Sequence, residues 1–505
     1  MPQRTFLHRS LLFLSLLLAS LSTNAQEGHR IRIHAKGLKT DTVQLAKYHG
    51  HKLYYHDTTV SQKESKYVFQ GKDSIKPGVY ALVSGGKKHF EFLIAEQRFT
   101  LRTEKKESIK HMDVEGSPNN KLFYQYMRKL RKENSKAKPL RSQIKTAKGK
   151  KRKKLQKKLK KIEKGVRSYQ RKMAKKHQDL LVGKIIKASI RKQPPQAPDS
   201  LNKKEARRYK YRYLKKHYFD NIDLSDERLV RTPILGKKVK RYFERMIPDQ
   251  PDSVIAAADR LMAQVDEGTE MYKFMANFIM NKYMNSDIMG MDAVFVHMAE
   301  NYFFNGKAYW AREKTIKKWK KEIRKIKPLL IGKQAPLITL ADTAGKKWIS
   351  LKDVDAKYTI LYFWDPECGH CQKATPKLKK AYDSLRSRGV EVYAVGTPRK
   401  TKKWKDYIEK HDLNWINVSH NPQILENPGR YAHLTDEKSL NFHKTYDIYS
   451  TPRIFLLDED KTIIAKKLGV DQVVEHIVTL LERGNKNGAS SLRRPQRKKG
   501  SMKRP

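Results

Sequence analysis

The chain has 505 residues, of which 38% are apolar, 10% aromatic and 32% charged, and 109 basic against 52 acidic side chains give a formal net charge of +57. At roughly 100–200 residues per domain, this length predicts three or four domains. The apolar content excludes a wholly disordered chain. The longest mainly apolar run, Leu11 to Leu21, is shorter than the roughly 20 residues a transmembrane helix needs, which excludes a multi-span membrane protein.

Arg4 and Arg9 precede that run, and Thr23-Asn24-Ala25 follows it. A basic start, a short apolar stretch and a small-residue exit predict a secretory signal peptide over 1–25. The expected location is the periplasm or cell envelope. No cysteine lies near the exit, so no lipid attachment is expected there.

Residues 26–116 read as a β-sandwich domain. Arg30 to Ala35, Tyr67 to Gln70, Val79 to Val83 and Phe90 to Ile94 read as strands, separated by Gly and Asp clusters. Short strands at this spacing predict an antiparallel sandwich. His49, His51 and His56 are close in sequence. Alternate residues of a strand share a face, so His49 and His51 could ligate a metal. No acid or cysteine completes the set, and an ordinary strand edge is the expected reading.

Residues 117–328 read as an all-α domain. Leu155, Leu159, Ile162, Val166, Tyr169 and Met173 recur at spacings of four and three, a heptad seam. Leu140, Ile144 and Ala147 carry the same rhythm before a break at Gly149. The result is a helical hairpin arm clad in Lys and Arg, with 18 cations over residues 141–180 against Glu163 and Asp179. Such an arm is a solvated basic face or a contact for an anionic membrane surface or acidic glycan. Nucleic acid is not the expected partner, because no base-reading module accompanies the charge. Met271, Met275, Met280, Met284, Met289, Met291 and Met298 lie among aromatics and predict an irregular core rather than a copper site.

Beyond Lys327-Pro328, strands and helices alternate, predicting an α/β layer fold over 329–484. Residues 357–364 read as a buried strand and 369–388 as a helix. Further strands and helices follow to Glu482, and 485–505 reads as a basic disordered tail. Between the first strand and helix stands Cys368-Gly369-His370-Cys371, which holds both cysteines of the chain. Free N–H groups and the helix dipole favour a thiolate at the first turn, so Cys368 is the expected nucleophile. Two intervening residues let Cys371 reach back to resolve a mixed disulfide, and His370 can add positive charge or a hydrogen bond. Zinc would need two more ligands with matching spacing, and no other cysteine exists, so no metal is expected.

Phe363-Trp364-Asp365-Pro366-Glu367-Cys368-Gly369-His370-Cys371 resembles the active site of TlpA-like thioredoxins, envelope thiol–disulfide oxidoreductases. Pro376 matches the proline that kinks the family's first helix. Ile331 to Pro336 matches its leading segment, and Leu340 to Leu351 its leading hairpin. Thr451-Pro452 matches its cis-proline loop. The resemblance implies a thioredoxin fold, a Cys368–Cys371 redox-active disulfide, a substrate groove shaped by Thr451 and Pro452, and Trp364 packed beside the dithiol. It also implies disulfide-containing protein substrates, no cofactor, and an external membrane electron donor, since a single dithiol cannot relay electrons internally. Multi-domain members of the family are similar upstream, with an N-terminal sandwich and a helical segment that His217 to Asp223 and Met289 to Phe295 resemble.

Two positions depart from the family. Tyr362 stands where thioredoxins place a buried acid, and Ala374 where many TlpA-like proteins carry Glu. Proton transfer from Cys371 then falls to water, Asp365 or Glu367. The Cys-Gly-His-Cys itself resembles that of protein disulfide isomerase, a more oxidising enzyme than thioredoxin. The expected activity is protein disulfide reduction. The alternative is an envelope or glycan binding protein whose basic arm carries the function, and salt-sensitive retention on anionic vesicles without disulfide reduction would favour it.

Overall fold

The computed structural model describes residues 28–304, 306–397, 400–419 and 428–491. The predicted signal peptide and the tail beyond residue 491 lie outside them. The chain forms two compact units. One holds the described residues up to Ile247 with Leu261–Phe274, and the other Pro248–Arg260 with those from Met275.

The first unit opens with eight strands: β1 (His29–Lys36), β2 (Thr42–His49), β3 (Lys52–Val60), β4 (Lys66–Gly71), β5 (Gly78–Ser84), β6 (Lys87–Ile94), β7 (Arg98–Glu104) and β8 (Asp113–Glu115). They make two four-stranded sheets, ordered β4-β1-β7-β8 and β3-β2-β5-β6. Period-two burial is clean in β1, where Ile31, Ile33 and Ala35 point inward and Arg30 and Arg32 outward. These inward residues share a core with Val43, Leu45, Tyr80, Leu82, Phe92 and Leu101 from both sheets.

One pairing corrects the antiparallel expectation. β1 runs parallel to β7, with Ile31 opposite Phe99 and Ile33 opposite Leu101. Parallel neighbours need a long crossover, which the whole of β2 to β6 supplies here. The paired-histidine idea also falls. His49 ends β2, while His51 lies beyond Gly50 in the turn to β3, at φ +58 for the glycine. The two therefore share no strand face, and His49 instead packs edge-on against Phe274 at 5.6 Å between ring centroids.

The arm is a hairpin of α1 (Pro118–Thr146) and α2 (Gly149–Lys176). Ser117 caps α1 by accepting from the Asn120 N–H, and Pro118 occupies the first turn, where no intrahelical N–H is needed. Phe123, Tyr124 and Tyr126 of α1, with Met173 and Ala174 of α2, enter the sandwich core. The seam is weakest in its middle: Leu155 and Met173 are buried, but Leu159, Ile162 and Val166 between them are only half-buried. Two helices alone cannot enclose a heptad stripe. Next come α3 (Leu181–Ser189), whose Val182 and Ile186 reach the same core, α4 (Lys203–Lys216) and α5 (Pro233–Arg245).

Helices α6 (Pro251–Met262), α7 (Glu270–Met284), α8 (Asp292–Met298) and α9 (Glu313–Ile326) precede the α/β region. Met275, Met280, Met291 and Met298 are fully buried, so thioethers fill an irregular core here. The remaining strands are β9 (Thr339–Asp342), β10 (Trp348–Ser350), β11 (Tyr358–Trp364), β12 (Val390–Gly396), β13 (Ile416–Ser419), β14 (Arg453–Asp458) and β15 (Ile463–Lys466). They form one sheet ordered β10-β9-β13-β12-β11-β14-β15, with β11, β12 and β13 parallel. β11 is central and covered on both faces, which is why its sequence is continuously apolar.

On one face, α10 (Gly369–Leu385), α11 (Thr401–Lys410) and α12 (Val470–Ser491) pack through Leu378, Tyr382, Trp404, Val473 and Ile477 onto Ile360, Tyr362 and Trp364. On the other, Leu340, Phe442 and Tyr446 cover Leu361 and Phe363. Helix α12 runs to Ser491, into the first residues of the predicted tail, because extending an amphipathic helix costs far less than nucleating one. Lys466 of the edge strand β15 is buried and bonds Asp292 at the start of α8 and the Leu329 carbonyl. This ties the sheet to the preceding helices within one compact unit. No described helix is long and apolar enough to cross a membrane.

Candidate functional site

The parallel strand β11 delivers the chain to a tight turn at Asp365-Pro366-Glu367. The Asp365 carboxylate accepts from the Glu367 N–H at 2.8 Å, and the Asp365 carbonyl from the Cys368 N–H at 3.2 Å. Gln372 closes the turn from the helix side, donating to the Pro366 carbonyl at 2.9 Å. Cys368 is thereby placed as the N-cap of α10, in an extended conformation with φ −81 and ψ 116. Its sulfur faces the free N–H groups of the first turn, where negative charge is favoured.

Cys368 is half-exposed, Cys371 is fully buried, and both are free thiols. The Cys368 thiol donates to the Thr451 carbonyl at 3.2 Å, and the Thr451-Pro452 bond is cis. The dithiol and the proline loop, 83 residues apart in sequence, are therefore in contact. A Cβ built on Gly369 would meet no heavy atom within 4 Å, so the approach to the dithiol is open. His370 is exposed beside it. Pro376 lies inside α10. Trp364 is buried behind the dithiol, stacked on Tyr362 with centroids 6.3 Å apart and tilted against Tyr407.

The two thiols are driven apart. Partial burial raises the Cys368 thiol, but the backbone N–H of Cys371, the Thr451 side chain, the Cys371 thiol and the His370 N–H outweigh it, and the net shift is downward. Burial pushes the Cys371 thiol up to about 12, against smaller opposing bonds from the Asp365 backbone and the Thr451 side chain. Cys368 is therefore the more readily ionised of the two, and Cys371 is held protonated.

Both carboxylates of the turn have other partners among the described residues. Asp365 is used on the Glu367 N–H, and Glu367 pairs with Lys403. The familiar acid position is filled by Tyr362, whose hydroxyl shares a 2.9 Å hydrogen bond with Thr375. Thr375 is fully buried, and sequence reasoning missed it. Its spacing was the available signal: one helical turn past Cys371, it projects onto the same inward face.

A half-exposed, acidic thiol at a helix N-cap, a buried partner one turn on and a cis-proline loop across from them, all on a thioredoxin fold, define a thiol–disulfide oxidoreductase. Residues 331–466 match the AhpC/TSA family, residues 142–328 the domain of unknown function DUF5106, and residues 29–123 the domain of unknown function DUF4369. The thiol-disulfide oxidoreductase ResA of a Bacillus cereus strain is 28% identical over 153 residues, covering 30% of this chain and 78% of that protein. A thioredoxin-like protein of Haemophilus influenzae is 31% identical over 126 residues, covering 25% of this chain and 62% of that protein. Among solved structures, a domain of a possible thiol-disulfide isomerase from Cytophaga hutchinsonii is 40% identical, covering 32% of this chain and 98% of that one, with a TM-score of 0.27. The C-terminal domain is an AhpC/TSA thioredoxin-like domain, similar to proteins named thiol-disulfide oxidoreductase ResA, in a multi-domain chain whose N-terminal part matches DUF4369.

Proposed function

We propose that the chain is an exported reductase of protein disulfides, acting through Cys368 and Cys371. The observation that carries this reading is the asymmetry of the two thiols: Cys368 is half-exposed at the helix N-cap against the Thr451 carbonyl and lowered, and Cys371 is buried and raised to about 12. The Cys368 thiolate attacks a substrate disulfide, forming a mixed disulfide and releasing one substrate thiolate. The Cys371 thiol then loses its proton to water and attacks the Cys368 sulfur. This closes the Cys368–Cys371 disulfide and frees the second substrate thiol, so the substrate gains the two electrons the dithiol loses. Thr451 and Pro452 hold the substrate backbone against the dithiol, and His370 and Trp364 border it. An external membrane electron donor restores the dithiol, and the envelope is the place of action. The cationic outer faces of the α1–α2 hairpin suit an anionic membrane surface or acidic glycan as the point of attachment.

Alkylation of the reduced full chain across pH tests the asymmetry. Cys368 is expected to react with a midpoint below the ordinary thiol value of about 8.5, while Cys371 stays unmodified up to about pH 10. Equal reactivity of the two cysteines would remove the basis of the assignment.

A further inference from the structure

Beside the dithiol lies a groove of about 420 Å³, and its rim is cationic. Its floor is apolar, made by Ala374 of α10, Ile454 of β14, and Leu468 and Val470 beyond β15. Its rim carries Lys373 and Lys377 from the first turns of α10, Arg453 next to Pro452, and Lys467, with Asp471 as the single lining carboxylate. Asp471 is already engaged, 3.1 Å from Lys377. Lys373, Arg453 and Lys467 form no ion pair among the described residues. Three cations thus stand around an apolar trough that begins at His370 and Pro452. Arg453 and Lys467 also border a neighbouring cavity of about 380 Å³, but there Asp292, Glu322 and Asp447 offset most of the charge. The cationic excess of the lining is larger in the trough at the dithiol than in that cavity.

We infer that this trough selects disulfide substrates by charge, taking an extended segment with Asp or Glu close to the reactive cysteine. The inference rests on the reading of Cys368 and Cys371 as the reacting pair. Lys377 is nine residues beyond Cys368, about 13 Å at the helical rise. An extended chain covers that length in about four residues. The acidic positions that matter therefore lie within about four residues of the substrate cysteine. The apolar floor accepts the intervening side chains, and the unpaired cations steer the approach of anionic chains while repelling basic ones.

The test uses the full chain and two disulfide-linked peptides, identical except for Asp and Glu or Lys at the four flanking positions. Hydroxyethyl disulfide serves as an uncharged probe of the dithiol itself. The acidic peptide is expected to be reduced with a kcat/KM about tenfold above the basic one at low salt, the size of two or three weak charge contacts acting together. That ratio falls toward one in the Arg453→Glu/Lys467→Glu chain. It persists in Lys346→Glu/Lys352→Glu, which makes the same charge change near β9 and β10, at the opposite edge of the sheet. A ratio near one in the unmutated chain that still reduces hydroxyethyl disulfide would overturn the inference. So would an equal fall in the Lys346/Lys352 chain, since overall charge would then be the cause. Failure to reduce hydroxyethyl disulfide would instead overturn the dithiol reading beneath it.

Discussion

A Cys368→Ser chain loses disulfide reduction by about a thousandfold or more, because a hydroxyl at the N-cap does not ionise and cannot displace a thiolate. The helix N-terminus, the Cys371 N–H and the Thr451 side chain would still surround position 368, but they act on a thiol that is gone. Cys371→Ser has a different outcome. The first attack remains available, because the Cys368 thiolate keeps most of its stabilising partners, and the resolving step is lost. A mixed disulfide between Cys368 and a substrate protein accumulates, visible as a mass increase reversed by dithiothreitol. Full activity in Cys368→Ser, or accumulation of the trapped species in Cys368→Ser instead of Cys371→Ser, would reverse the roles assigned here.

The second large effect is on stability. Lys466 is almost wholly buried, with its side chain 4% exposed, and it faces Asp292, whose side chain is 14% exposed. Replacing Asp292 by alanine leaves an uncompensated charge inside the unit, a loss of about 3–5 kcal/mol. Burial already lowers the Lys466 ammonium below its ordinary value, with Asp292 opposing it. A lysine lowered in the folded state costs stability wherever it stays charged, and that cost fades as pH rises through its folded value toward the unfolded one. The Asp292→Ala penalty is therefore largest near neutral pH and smaller toward about pH 10. Urea unfolding at the two pH values measures both features. The double change Asp292→Ala/Lys466→Met removes the stranded charge and recovers most of the loss. A penalty below about 1 kcal/mol at neutral pH, or one that grows with pH, would contradict this account of the pair.

The parts of the fold that were readable from the chain are those with local causes. β11 was marked by its apolar run, α10 by the cysteines at its start, and the hairpin by its heptad rhythm and Gly149. The parts that were not readable depend on partners far away in sequence. The parallel pairing of β1 with β7 is one, since alternation reports which face is buried and says nothing of strand direction. The Lys466–Asp292 pair is another: each residue alone looks like an ordinary surface charge, and 174 positions separate them. The turn between His49 and His51 was not readable either, because alternation alone does not reveal the positive-φ glycine that lies between them.

At the site, Cys368, Cys371, Trp364, Thr451 and Pro452 were found by motif, and the structure brings them together. Tyr362 was noted as a departure, but its bond to Thr375 shows how the space of a missing acid is filled. That exchange has a chemical consequence. A buried carboxylate would accept the Cys371 proton during resolution, and a tyrosine hydroxyl held to threonine does not.

The reduction potential of the Cys368–Cys371 couple tests the central claim most directly, followed by tryptophan fluorescence with Trp364 beside the dithiol, across dithiol buffers of known potential. The lowered Cys368 thiol stabilises the reduced form modestly, while the raised Cys371 thiol adds no such stabilisation near neutral pH. A reductase of protein disulfides is predicted to lie near about −250 mV or below. A value near about −180 mV or above would contradict that account and make the protein an oxidase or isomerase.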